Sequence, residues 1–486
     1  MKTSFSTERR SAQHEKRTEW WRFLTVVVVS MAIFLDTVDV SIVNVALPTI
    51  KLDLHLTTTD LQWVPGVYVL TYAGFMLLGG RAADLLGRRR IFVLGAVLFG
   101  LASLSGGLAN SGWLVILARG VQGIGAALTM PAATSILTTT FPEGPERNKA
   151  LGIFSATGGA GFTCGLVLGG LLTTFIGWHW VFFANVPVAL LIVLLARVVV
   201  PEGRSLAGAQ SYDLAGAVTV TGGLLLLVYA ITQANGDGAT PLKTAGLFAL
   251  ALVLLAVFLG IEWRSKSPLI PLHIFRSREL VASCVVSFAL LGSFFSYLFI
   301  CTLYLQEVVR SSPISASLAL VPGSIESILA SQFVAPWFMN RLGLKFTISL
   351  GMFSLLSGIA LFLLTGVTGN YVGVILPSTL LALFGMSMCV PSLSVAAVSG
   401  IEPSEQGLAA GLQGTLAQAG GGLGLAITAS VVTLSKISAQ GVAPNSASLV
   451  AAQLYGLHMG ILVIVVGAAS GLLIALAGTQ KRSTTP

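Results

Sequence analysis

Apolar runs of about twenty residues, separated by short polar breaks, recur along the whole chain. Each is long enough to cross a bilayer as a helix, since about 20 residues at 1.5 Å rise cover its hydrocarbon core. Taken between their breaks, the runs predict fourteen spans: roughly 23–47, 61–80, 91–109, 113–140, 149–174, 179–200, 212–234, 244–263, 279–305, 315–339, 345–366, 371–399, 406–434 and 455–478. A membrane β-barrel would instead show short segments of alternating hydrophobicity. The expected fold class is therefore an all-α polytopic membrane protein.

Two polar joints interrupt this series. One runs from Pro201 to Asp213 after span six, and a longer, more charged one runs from Glu262 to Glu279 after span eight. Six spans precede the first joint and six follow the second. The expected organisation is a cytoplasmic segment 1–22, a six-helix bundle 23–200, a linker 201–278 carrying two inserted helices, a second six-helix bundle 279–478 and a cytoplasmic tail 479–486. The stretch before Arg22 is polar and lacks a cleavage site of small residues, so span one is expected to remain as an uncleaved helix.

Composition agrees. The 486 residues are 55% hydrophobic and only 9% charged, against about 25% charged for a soluble domain; the mean hydropathy is +0.88. A net charge of +8 would suit a nucleic-acid partner if it were clustered, but it is spread over short loops on alternate sides of the spans. With the N-terminus inside, only Lys51, Lys243, Arg310 and Lys436 of the 27 Lys and Arg fall outside, and Arg119 falls within a span. That asymmetry predicts an N-in, C-in topology and excludes a nucleic-acid role. The four cysteines (Cys164, Cys284, Cys301 and Cys389) lie in apolar spans without a C-x-x-C spacing, so they read as packing and no metal site is expected.

Span one carries the most informative polar pattern, F-L-D-T-V-D-V-S-I-V-N-V-A-L-P from Phe34 to Pro48. Asp36 and Asp39 are three residues apart and share a helix face, and Asn44 continues that face. A carboxylate in mid-membrane costs about 2.5–3.5 kcal/mol on insertion scales, so the pair is expected to look into a wet cavity or toward a cation. Arg119, in L-A-R-G-V-Q-G-I-G of span four, is the intramembrane cation. It either snorkels to the outer surface or pairs with the span-one acids. Glu326 in span ten is a third intramembrane acid, read as a protonated, hydrogen-bonded packing group, as part of cation recognition or as a second proton site.

Between spans two and three, G-R-A-A-D-L-L-G-R-R-R runs from Gly80 to Arg90. Gly80 and Gly87 permit a tight turn; Asp84, Arg88 and Arg89 offer charge-assisted contacts. The segment reads as a plain positive-inside loop or as a gating element. In span five, Gly161, Gly165 and Gly169 form a G-x-x-x-G-x-x-x-G ridge, suited to static packing or to sliding against the opposite bundle.

These motifs together resemble the major facilitator superfamily, and within it the fourteen-span drug:proton antiporters, from about residue 20 to 478. The span-one stretch resembles the family signature with Asp39 at its acid, the Gly80–Arg90 loop resembles the superfamily's cytoplasmic motif, and the Arg119 stretch resembles its span-four motif. L-Q-W-V-P-G-V-Y at 61–68, S-P-L-I-P-L-H-I-F at 267–275 and G-L-A-A-G-L at 407–412 are also similar to family segments. One departure is Leu166, where the family's antiporter motif has Pro after Gly165.

The resemblance implies a proton-driven secondary exporter of hydrophobic or cationic small molecules in the cell (inner) membrane, not an enzyme, acting as a monomer without a cofactor. It implies proton coupling by Asp39 with Asp36 and Arg119, and contact of Asp84 with the span beginning near Ser404. A dedicated exporter of one metabolite or self-made antibiotic is the alternative. A membrane enzyme or receptor is a third reading, but the chain has no histidine cluster, nucleophile motif or G-x-x-x-x-G-K-[ST] loop to support it.

Overall fold

The computed structural model describes residues 2–141, 145–200, 202, 214–233, 240–264, 272–402, 405–440 and 446–478. The joint residues 203–213 and 265–271, Ser404, the tail 479–486, and the side chains of residues 2–19 and of Asp84 lie outside the described set. The expectations resting on them, the Asp84 to Ser404 contact above all, therefore have no structural counterpart here.

Every described regular element is a helix. Apolar sequence in a bilayer leaves the backbone no water to bond, so each segment satisfies its own N–H and C=O groups. The principal helices are α1 (Lys2–Asp53), α2 (Trp63–Leu86), α3 (Arg88–Gly107), α4 (Gly112–Thr140), α5 (Pro145–Phe175), α6 (Asn185–Val199), α7 (Leu214–Gln233) and α8 (Pro241–Arg264). They continue as α9 (Arg278–Leu303), α10 (Pro313–Leu329), α11 (Ala335–Leu361), α12 (Leu376–Val398), α13 (Gln406–Gln440) and α14 (Ser446–Gly478).

Among the described residues, twelve stretches are long and apolar enough to cross a membrane, which makes this a multi-pass membrane protein. One of them, Pro313–Leu364, is 52 residues long. It breaks inside α11 at Gly343, whose φ of 83° belongs to the region that favours glycine. The apolar part of α7, Val218–Ile231, is shorter than the twelve.

Helix packing follows the small residues. α1 lies along α5, α4 lies between α2 and α3, α9 runs along α13, and α11 along α12. The first and second halves of the chain meet where α2 packs on α13, α5 on α10, and α1 on α9. Between α9 and α13 the backbones touch: a methyl group on Gly424 would lie 2.7 Å from the Cα of Gly292. α7 sits against α2 and α13, and α8 packs along α7. Leu252, Val253, Leu259 and Trp263 of α8 are exposed, as suits a helix turned toward lipid.

Candidate functional site

The polar residues of the first half converge on α1. Thr37 and Ser41 return their hydroxyls to carbonyls of their own helix, at 2.8 Å to Ile33 O and 2.9 Å to Thr37 O. That arrangement disposes of their donors locally. The carboxylates have no such recourse and are met by other helices.

Asp39 is fully buried and pairs with the Nη1 of Arg119 from α4, itself 1% exposed. Its other oxygen, Oδ1, accepts from Nδ2 of Asn185 on α6 at 2.7 Å and from Nε2 of Gln122 at 3.0 Å. Gln122 Nε2 also reaches Ser103 Oγ at 2.7 Å, while its Oε1 accepts from Arg119 Nη1 at 2.9 Å. Arg119 Nε donates to the carbonyl of Val64 at 3.1 Å. The expected pairing of Arg119 with span one is thus direct, and it selects Asp39; snorkelling is excluded by its burial. A buried ion pair repays its desolvation only when its remaining donors and acceptors are satisfied, and Gln122 and Asn185 serve that need.

Asp36 is held differently. It is partly buried and accepts from the hydroxyl of Tyr68 on α2. The ring of Tyr68 lies beneath the Arg119 guanidinium, 4.1 Å from its carbon to the ring centroid, and meets Tyr72 edge-on at 6.0 Å. A cavity of about 10 Å³, room for about one water molecule, has Asp36 on its wall, with Ala96, Phe99, Thr129 and Ile192 opposite. One turn of α1 therefore carries one carboxylate saturated by three donors and one held by a single neutral hydroxyl.

Asn44 faces the second half: its Oδ1 accepts from Thr302 Oγ1 of α9 at 2.6 Å. Nearby, Gln306 Nε2 donates to the carbonyl of Val45 at 2.9 Å, and Lys51 pairs with Glu307 at 2.5 Å. Gln306 and Glu307 sit on a π-helical turn, Tyr304–Val308, that extends α9; such turns often mark functional positions. Glu326, on α10, is outside the hydrogen-bond network of Asp39. Its Oε2 is buried and has no hydrogen-bond partner among the described residues.

The glycine ridge of α5 corrects an expectation. Gly161, Gly165 and Gly169 face α1 of their own half, not the opposite bundle. Added methyl groups would lie 2.3 Å from Thr37 Oγ1, 2.0 Å from Ser41 Oγ and 3.0 Å from the carbonyl of Ile42. The α5 glycines that meet α10 are Gly159, against Ile328, and Gly170, against Ser317 and Ile314. In the cytoplasmic loop, Gly87 has φ 102°, so glycine is required at the turn into α3. A methyl on Gly80 would make only ordinary contact, 3.5 Å from Pro131 Cβ. Arg88 is engaged. Arg89 donates to the carbonyls of Arg197 at 3.2 Å and Val200 at 3.3 Å and pairs with Glu202, tying α3 to the end of α6 within the first half.

Gln122, Asn185, Tyr68 and Ser103 were not singled out as site residues from the sequence. Asn185 carried a signal, being an amide in an otherwise apolar run, F-F-A-N-V-P-V-A-L-L. Gln122 lies one turn from Arg119, which also marks it.

This arrangement, helices in two halves with an ion pair buried in the first, is that of a membrane transporter. The family model described as Major Facilitator Superfamily matches residues 29–425, and the chain belongs to that superfamily. It is 35% identical over 418 residues to the puromycin resistance protein pur8 of Streptomyces alboniger, covering 85% of this chain and 82% of that protein. It is 34% identical over 469 residues to the cephamycin export protein CmcT of Amycolatopsis lactamdurans, covering 95% of this chain and 93% of that protein. Among solved structures, the nucleoside transporter NupG (a variant form) aligns with a TM-score of 0.66 at 12% identity, over 95% of this chain and 100% of that one. That last likeness is one of fold.

Proposed function

We propose that this protein is a proton-coupled exporter of hydrophobic or cationic small molecules, working as a monomer in the cell (inner) membrane. The observation that carries the proposal is the unequal pair of carboxylates on one turn of α1, Asp39 locked to Arg119 and Asp36 held by one hydroxyl. A cationic substrate and a proton then compete for the same face, which is the requirement for exchange. Asp39, Asp36 and Arg119 form the coupling centre, and Asp36, Asp39, Asn44 and Glu326 contribute to the substrate path.

In this reading the chain crosses the membrane fourteen times, N-in and C-in, with α1 to α6 and α9 to α14 as two six-helix bundles and α7 and α8 at the periphery. The break at Gly343 and the additional apolar helix α7 support that count. Gly80, Asp84, Gly87, Arg88 and Arg89 form the cytoplasmic gate. The test is flux in reconstituted vesicles with an imposed pH gradient, with substrate and proton movement followed together. Substrate movement indifferent to the gradient would refute the coupling.

A second reading, a dedicated exporter of one antibiotic, is favoured by the near full-length similarity to the cephamycin export protein. A substrate panel in the same vesicles separates the two. One accepted compound supports the dedicated exporter, and many unrelated ones support the broad one.

A further inference from the structure

The beginning of α3 and the end of α6 lie side by side, since Arg89 reaches the carbonyls of Arg197 and Val200. Both carry arginine there. Arg89 and Arg90 lie in the first turn of α3, and Arg197 lies in the last turn of α6. Together with Glu202 they line the mouth of a groove of about 470 Å³, whose inner wall is Val93, Leu94 and Val97.

The chemistry changes along the groove in one direction. Arg90, Val93, Leu94 and Val97 follow an i, i+3, i+4, i+7 spacing and so form one stripe on α3. The stripe is cationic at its first position and apolar for about 10 Å beyond it, and exposed Leu101 prolongs it. On α6, exposed Leu190 and Leu194 lead to Arg197 in the same sense. The first turn of α3 has no side-chain cap at Gly87, so its free N–H groups add positive potential at the mouth.

The charges do not cancel. Arg89 is occupied by Glu202 and by the carbonyls of Arg197 and Val200. Arg90 and Arg197 are exposed and make no ion pair among the described residues. Three guanidinium groups face one carboxylate. A free anion would use the cationic mouth but not the apolar wall, and a neutral lipid the reverse. A molecule with a phosphate at one end and an acyl chain at the other uses both.

We propose that this groove binds one anionic phospholipid, its headgroup phosphate at Arg90 and Arg197 and an acyl chain along Val93, Leu94 and Val97. Guanidinium forks match phosphate oxygens in pairs. Glu202 is the internal competitor. It occupies Arg89, and the lipid phosphate draws Arg89 away from it. The proposal does not depend on what the protein transports.

The test uses the full-length protein in mild detergent, titrated with phosphatidylglycerol or with phosphatidylcholine of the same acyl chains, and bound lipid counted by native mass spectrometry. The expected result is one phosphatidylglycerol site at least tenfold tighter than any for phosphatidylcholine. Arg90→Gln with Arg197→Gln should weaken it about thirtyfold, at roughly 1 kcal/mol per basic residue near the membrane surface. Glu202→Gln should tighten it, and inorganic phosphate at millimolar concentration should leave it in place. Equal binding of the two lipids, an unchanged phosphatidylglycerol affinity in the double variant, or displacement by inorganic phosphate would each overturn the proposal. Arg90→Gln alone, at a surface position, repeats the measurement if the double variant inserts poorly.

Discussion

The guanidinium carbon of Arg119 lies 4.1 Å from the centre of the Tyr68 ring, whose hydroxyl in turn donates to Asp36. One aromatic side chain thus separates two acids that neighbour each other on α1, touching the Asp39–Arg119 pair with its face and Asp36 with its edge. Replacement by Phe withdraws the donor and keeps the ring under Arg119, whereas Leu removes both. Tyr68→Phe is expected to alter the KM of cationic substrates several-fold more than that of neutral ones while stability stays near wild type. Tyr68→Leu should also lose about 1–2 kcal/mol from the cation–π contact. Equal effects of Phe on cationic and neutral substrates would show that the hydroxyl only fills space.

Asp39→Asn leaves Arg119 buried without its counter-charge, at a cost of about 3–5 kcal/mol. Loss of pH-driven flux in that variant therefore needs a stability control. Adding Arg119→Gln removes the uncompensated charge and should restore much of the thermal stability without restoring coupled flux. Asp36→Asn should leave the fold intact and reduce acceptance of cations most. The readouts are thermal unfolding in detergent and paired substrate and proton flux in vesicles. Coupled flux surviving in Asp39→Asn would move the coupling site, with Glu326 the next acid to replace.

Asn185 donates to Asp39 Oδ1 at 2.7 Å and is 1% exposed. Asn185→Leu takes one of three donors from a buried carboxylate and should cost about 1–3 kcal/mol of stability. Its coupled flux should fall more than its binding of neutral substrates. A variant with unchanged stability and flux would mean that Gln122 and Arg119 suffice to hold Asp39.

Lys51 and Glu307 join the two halves through side chains 15% and 22% exposed. Because solvent reaches the pair, its contribution is about 1 kcal/mol. Lys51→Glu should raise the labelling of cysteines introduced around Asn44 by a membrane-impermeant reagent, and Lys51→Glu with Glu307→Lys should bring it back. No recovery in the exchanged pair would mean that Gln306 and Asn44 close this side without it.

Gly165 leaves no room for a methyl group, which would stand 2.0 Å from Ser41 Oγ and 2.6 Å from the carbonyl of Val38. Gly165→Ala should separate α5 from α1 and cost about 1–3 kcal/mol. Gly152, with nothing within 4 Å, is the matched control in which Ala should be tolerated. Comparable melting temperatures for the two variants would show that the helix contact yields cheaply.

The sequence by itself determined where the helices fall and that acids and a cation share the membrane interior. A bilayer offers the backbone no partner but itself, so a run of about twenty apolar residues has a single outcome, and each charge within it is conspicuous. That Arg119 would either reach the outer surface or seek span one was legible for the same reason, and its burial against Asp39 decided between them. Which acid it takes was not. Asp36 and Asp39 differ by about 60° around α1, and only the placement of α2, α4 and α6 gives one of them an arginine and two amides and the other a tyrosine. The glycine ridge shows the same limit: small residues announce that some helix comes close but carry no mark of which one, and packing assigned them to α1 instead of the second half. Contacts between distant helices depend on how every helix is rotated about its axis, and that rotation is settled by the whole packed bundle.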